Sequence, residues 1–383
     1  MRMTMKRQLK TLLIASAMSV FATAHGAQLL VGSYTDGTSE GLYRYAFNSD
    51  NGQIDPKPLQ VLKSENPSWL TLSVDNRLLF AVNENGAGKG QASSFSISSK
   101  DGSLKPLNQV SSAGDEPTHA SLSHDQRYLF VANYGVQPTP GGSLSVLPVA
   151  KDGKLGTSVQ QDQHKASGAN PQRQAGPHVH SVVSSADGHY VFASDLGADK
   201  VFIYRYDGAS PKHPLSPATP AFVDLPPGSG PRHLLFSSDG KQAYLTLEMS
   251  AQVVVFAHED GKLVELQRLP LTEQNDASAK AAGALHLSAD GRFLYVSNRG
   301  SANELLVFAV DDDSGKLMQV QRRSVEGDHP REFTIDPSGK FLLVANQKSN
   351  EIVVIRRDPR SGMLGDTVQK LPQDAPSDLK FVE

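Results

Sequence analysis

From residue 28 onward the chain is written in short alternating runs. Apolar residues fall at every second position, break at a polar turn and resume. That period marks half-buried β-strands. No stretch sustains a helical spacing of apolar positions. Many runs pair across Asp-Gly, Ser-Gly or a variant, dipeptides that tolerate the positive φ of a tight hairpin. The pairs recur. A Pro opens an alternating run, Ser-x-Asp-Gly-Lys or a variant turns the chain, and a run holding Tyr or Phe ends near Asn. Copies open at Pro67, Pro117, Pro177, Pro231 and Pro330, with a degenerate copy at Gly283. Their turn positions, Asp75, Asp125, Asp187, Asp239, Asp290 and Ser338, are spaced by 50, 62, 52, 51 and 48 residues.

Each copy continues into a second alternating pair, as in QVVVFAHEDGKL after Glu248 and EIVVIRRDPRSGML after Gln347. Four short strands in a repeat of this length make the blade of a β-propeller. The ends complete the count. Gln28-LLVGSY resembles the second strand of a blade, GLYRYAFNSDNGQI its outer two, and APSDLKFVE at the C-terminus a lone first strand. Six full copies and one split copy predict an all-β, seven-bladed propeller whose terminal strands share one blade. Such closure hides strand edges. Two inserts break the rhythm, at Ala166–Ala175 and Thr272–Ala282. Both are expected as loops, the second with room for a short helix.

The N-terminus follows a different rule. Arg2, Lys6, Arg7 and Lys10 precede an apolar stretch from Leu12 to Ala22, followed by small residues in Ala22-Thr23-Ala24 and Ala24-His25-Gly26-Ala27. This is the pattern of a secretory signal peptide, too short to span a bilayer. The organisation expected is a signal peptide over 1–27 and one propeller domain over 28–383, located in the periplasm or secreted. The 383 residues contain no cysteine, which removes disulfides, thiolate nucleophiles and Cys-based metal sites. Net charge is -3, with no clustered basic surface to argue for nucleic acid. No segment past the leader is apolar enough to hold the chain in a membrane, and a closed ring of this kind is expected as a monomer.

Candidate chemistry comes from the repeat itself. The inner strand of each blade lines the central channel, and the first two strands form a hairpin. The start of one and the end of the next therefore meet at one mouth. Seven residues before the turn stand Ser68, Thr118, His180, Arg232, Gly283 and Arg331; nine after it stand Glu84, Tyr134, Leu196, Glu248, Arg299 and Gln347. Positions that serve only the scaffold should look alike between blades, and these do not. His180, Arg232, Glu248, Arg299 and Arg331 are the candidate site, with His178 and His233 beside them. Several arginines without matching acids point to an anionic ligand, since the guanidinium fork suits carboxylate and phosphate. His178-Val179-His180 lacks a third ligand at a diagnostic spacing, so no metal is expected, and no motif calls for a cofactor.

GPHVHS, GPRHLLFSSDGKQAYLTLE, SADGRFLYVSNRGSANELLVF and HPREFTIDPSGKFLLVANQKSNEIVV resemble the lactonase family of seven-bladed propellers. That family includes cycloisomerase-type 6-phosphogluconolactonases and the carboxy-cis,cis-muconate lactonizing enzyme. The resemblance spans nearly all of the chain after the leader and is most specific over 177–357. It implies metal-independent chemistry on a small anionic or sugar lactone. His180 in VHS, Arg232 in GPRH, Glu248 in TLE and Arg299 in SNR match its proposed catalytic set, and Arg331 in HPRE matches a recurrent arginine. His180 or Glu248 would be the general base. Arg331, His178 and His233 would bind substrate. A lactone hydrolase is the leading expectation; a non-catalytic binding propeller and a muconate-type cycloisomerase are the alternatives.

Overall fold

A computed structural model describes residues 27–135, 142–274 and 276–382. The leader read over 1–27 lies outside them except for Ala27. The described residues form seven antiparallel sheets. Six are four-stranded blades built from consecutive segments, covering 67–111, 117–163, 179–224, 231–270, 282–324 and 330–372. We number them one to six. The seventh joins the inner strand Pro376–Val382 to Gln28–Ser33 and Gly41–Asn48, with its outer edge split between Gln53–Ile54 and Gln60–Lys63. The N- and C-terminal strands pair in register from Gln28↔Val382 to Gly32↔Asp378, which closes the ring. The inserts also behave as their composition predicts. Residues 166–175 carry turns but no strand, and among the described residues the second insert holds a 3₁₀ turn, Ala277–Ala279, capped by Asp276.

The repeated Ser-x-Asp motif is the hairpin's own fastener. Ser73 Oγ donates to Asp75 Oδ1 at 2.7 Å and accepts from the amide of Leu78 at 2.9 Å. Ser123, Ser185, Ser237 and Ser288 repeat both contacts. In blade six the roles exchange: Ser338 Oγ donates to Asp336, whose carboxylate accepts from the amide of Phe341. The residue after each turn Asp or Ser has positive φ, from 54° at Asn76 to 73° at Gly188 and Gly291. Glycine takes four of those six places because it meets no Cβ penalty there.

Apolar side chains on the two faces of each blade meet those of its neighbours. Seven clusters result, one at each junction between blades. The junction of blades six and seven packs Phe341, Leu343 and Val354 against Leu29, Val31 and the wholly buried Leu379 of the last strand. Asp378, next to it, reaches blade one, where its carboxylate accepts from the amide of Leu70 at 2.7 Å. The last strand therefore clasps both neighbours.

Leu379→Ala should lower stability by about 2–5 kcal/mol, as expected for emptying a packed core position. Denaturant unfolding measures it. An unchanged midpoint would show that the joined ends do not hold the ring.

Candidate active site

The inner strands carry a feature that alternation alone hides. Each has a β-bulge directly after its opening residue. Pairing jumps from Val179↔Asp195 to Ser181↔Ser194, leaving His180 out of register. The same jump frees Ser68, Thr118, Arg331 and Ser377. In blades four and five it spans two residues, Arg232-His233 and Gly283-Ala284. A bulge leaves one residue unpaired and re-aims its side chain. Here it turns Thr118, His180 and Arg331 into the channel mouth and Ser68, Arg232 and Ser377 toward the space just below it.

The mouth holds a cleft of about 220 Å³ lined by Glu84, Thr118, Tyr134, His180, Glu248, Arg299 and Arg331, together with Arg173. Both rings read from the repeat are present in that lining. Larger grooves of about 400, 340 and 460 Å³ lie elsewhere, at turn edges and outer strands. They collect hairpin turns, outer strands and the far ends of inner strands, and none gathers several guanidiniums around one carboxylate, so the mouth is the better candidate on chemistry. Below it the channel is plugged. Trp69, His119 and His233 stack edge to face and at a tilt, with ring centroids 4.2 to 5.5 Å apart. Only about 10 Å³ remains among Arg232, His233, Glu332 and their neighbours. Any substrate must enter and leave by the mouth.

Glu248 is the centre of the site. Its Oε2 accepts from Arg232 Nε at 3.2 Å, forms an ion pair with Arg299 Nη2 at 2.8 Å, and lies 4.0 Å from His180 Nε2. Its Oε1 accepts from Arg173 Nη2 at 2.7 Å. Burial pushes this carboxyl up, but the guanidiniums of Arg299, Arg232 and Arg173 outweigh it and hold the group well below the usual carboxylate range. Burial, reinforced by Arg232, holds His180 well below its ordinary 6.5, against the opposing pull of Glu248. The imidazole is therefore neutral at neutral pH, and its Nδ1 has no hydrogen-bond partner. Burial and the neighbouring Arg299 bring even Arg232 down to about 9. Arg299 is fixed further by the carbonyls of Ala281 and Ala282. Arg331 stacks on Tyr34 at 5.1 Å and donates to Glu84 Oε2, which also accepts from the Tyr34 hydroxyl.

The structure thus gathers His180, Glu248, Arg299 and Arg331 around one cleft and sets Arg232 directly behind Glu248. It does not bring His178 or His233 to the cleft. His178 stacks under Tyr134 with centroids 4.5 Å apart and donates from Nδ1 to the Tyr134 carbonyl. His233 sits in the plug, with its Nε2 3.2 Å from Arg232 Nη1. Both brace groups that line or back the mouth, and neither touches the space a ligand would fill. Glu84 and Tyr134 occupied ring positions without being singled out, and Arg173 comes from the first insert, which has no repeat equivalent. Among the described residues, no group of three or more histidines and carboxylates has the geometry to hold a metal ion, and no helix is long and apolar enough to cross a membrane.

Comparison with known proteins agrees with this architecture. The model of a family described as Lactonase, 7-bladed beta-propeller, matches residues 28–381. A 6-phosphogluconolactonase of Bacillus subtilis (strain 168) is 32% identical over 340 residues, which are 87% of this chain and 92% of that protein. A 6-phosphogluconolactonase of Formosa agariphila is 35% identical over 352 residues, 90% of this chain and 96% of that one. The solved structure of PpgL, a periplasmic gluconolactonase of Pseudomonas aeruginosa, superposes with a TM-score of 0.90 at 55% identity, covering 93% of this chain and 99% of PpgL. With its seven blades, its shared terminal blade and this match along nearly all of the folded chain, the protein belongs to the seven-bladed β-propeller lactonase family.

Proposed function

We propose that the chain hydrolyses a sugar lactone in the mouth cleft, with His180 as general base. The observation that carries this is the pairing, at one open cleft, of a neutral imidazole with a carboxylate shared among three guanidiniums. The names of the relatives, gluconolactonase and 6-phosphogluconolactonase, support the substrate class. The leader pattern and the periplasmic PpgL support export to the periplasm.

His180 takes a proton from water as the water oxygen bonds to the lactone carbonyl carbon. The carbonyl electrons move onto oxygen, where Arg299 and Arg331 steady the oxyanion. Glu248 balances the imidazolium that forms 4.0 Å away. Collapse breaks the ring C–O bond, and His180 returns the proton to the leaving oxygen, giving the open hydroxy acid. Glu248 is the weaker candidate for base because its ion pairs disfavour protonation. Arg232 holds Glu248 from behind, and His233 and His178 act through Arg232 and Tyr134.

The purified chain from residue 28 should hydrolyse glucono-δ-lactone or its 6-phosphate well above the spontaneous rate. His180→Ala should cut kcat by about 10²–10⁴-fold, the usual worth of positioned proton transfer, with a thermal melt showing an intact fold. Glu248→Gln should also lower kcat and, by leaving Arg232 and Arg299 unpaired, lower the melting temperature. A wild-type rate at background would overturn the hydrolase reading. Activity should survive a chelator, because guanidiniums supply the electrophilic stabilisation; loss on chelation and recovery with added metal would contradict that assignment.

The pH profile tests the base. A depressed His180 stays unprotonated, and competent, at pH values where a free imidazole, near 6.5, would already carry a proton. The acid limb of kcat/KM, corrected for spontaneous hydrolysis, should lie below 6.5. A limb at or above that value would rule out a depressed His180 as the base.

A further inference from the structure

Three guanidiniums line the cleft and a fourth, Arg232, backs it, and they are not equivalent. Side-chain exposure is 2% for Arg232, 6% for Arg299 and 15% for Arg331, but 45% for Arg173. The first two are locked to Glu248 Oε2, and Arg331 is matched by Glu84. Arg173 alone of the four reaches in from the solvent side, touching Glu248 Oε1 and, at 3.2 Å, the Tyr134 hydroxyl.

The loop that presents it is anchored. Ser167 bonds the Gly197 carbonyl through its amide and Asp199 through its hydroxyl. The wholly buried Gln174 bonds the carbonyls of Asn170 and Leu196, and Asn170 Oδ1 accepts from the amide of Arg173. The backbone is fixed while the side chain is free to change partner. If Arg173 leaves Glu248, the carboxylate keeps Arg232 and Arg299, so no buried charge is stranded. Arg173 itself gives up a charged partner, and charge-assisted hydrogen bonds are roughly twice as strong as neutral ones. Only another anion replaces that loss in kind. A sugar hydroxyl does not.

We propose that Arg173 is a specificity-determining residue that exchanges Glu248 for an acidic substituent on the bound lactone, so that the site prefers lactones bearing a carboxylate or phosphate over neutral ones. The exchange also uncovers Glu248 Oε1 toward the cleft when such a substrate is seated. The catalytic half of this proposal rests on the lactone-hydrolase reading; the anion-binding half does not.

The test compares wild type, Arg173→Gln and Arg173→Lys on glucono-δ-lactone, 6-phosphogluconolactone and a carboxylate-bearing glucarolactone. Binding of the unreactive glucose, glucose 6-phosphate and glucuronate is measured by calorimetry alongside. Wild type should favour at least one acidic lactone in kcat/KM. Arg173→Gln should reduce that preference by about 10- to 100-fold, the worth of one hydrogen bond between charged groups, and Arg173→Lys should restore part of it. Which acidic lactone responds identifies carboxylate or phosphate. Equal losses on neutral and acidic lactones, or no wild-type preference, would overturn the proposal. If wild type hydrolyses none of the three, the hydrolase reading fails, and calorimetry decides the rest. Weaker binding of an acidic sugar but not of glucose in Arg173→Gln supports the anion site, and unchanged binding refutes it.

Discussion

One carboxylate, Glu248, holds together the buried guanidiniums at the back of the mouth. Buried guanidiniums are costly unless paired and hydrogen-bonded, and Arg232 and Arg299 are both buried on Glu248 Oε2. Without Glu248 two cations would face each other across a closed space. With it they become a rigid electropositive wall, held by the carbonyls of Ala281 and Ala282 on one side and braced by His233 on the other. Burial depresses His180, and the same wall reinforces it through Arg232.

That arrangement needs a scaffold that delivers single residues from separate blades to one point. The closed ring supplies it through seven inner strands, seven apolar junctions and a bulge at the head of each inner strand. The bulge turns the residue after the opening position out of the ladder, so its side chain is spared from blade packing and free to vary. The aromatic plug below gives the mouth a floor and confines chemistry to one face. Rigidity comes from the junctions, including the one closed by Leu379, and variety comes from the bulges.

The sequence displays the blades plainly because their turn chemistry is repeated. Each Ser-x-Asp fastener is local, spanning at most five residues, so it leaves the same mark in every copy. The split blade has no such turn; it was legible because the strands at the two ends of the chain resemble the missing strands of one more copy. The two rings were legible because His180, Arg232, Glu248, Arg299 and Arg331 stand where the other blades carry unlike residues. Other features left no such mark. A bulge is a backbone displacement with no residue type of its own, and it decides that Arg232 backs Glu248 while its neighbour His233 enters the plug. His178 lies just before its strand and is drawn under Tyr134, away from the cleft. The Glu84–Arg331 pair joins residues 247 positions apart. Arg173 sits in an insert, where no repeat register exists to align it.

The most direct measurement is a crystal structure of the chain from residue 28 with the open hydroxy acid bound. The account predicts the acid in the mouth cleft, its carboxylate against Arg299 or Arg331 and within hydrogen-bond reach of His180. An acid found only in a groove between blades, with the mouth unchanged, would contradict the assignment of the site.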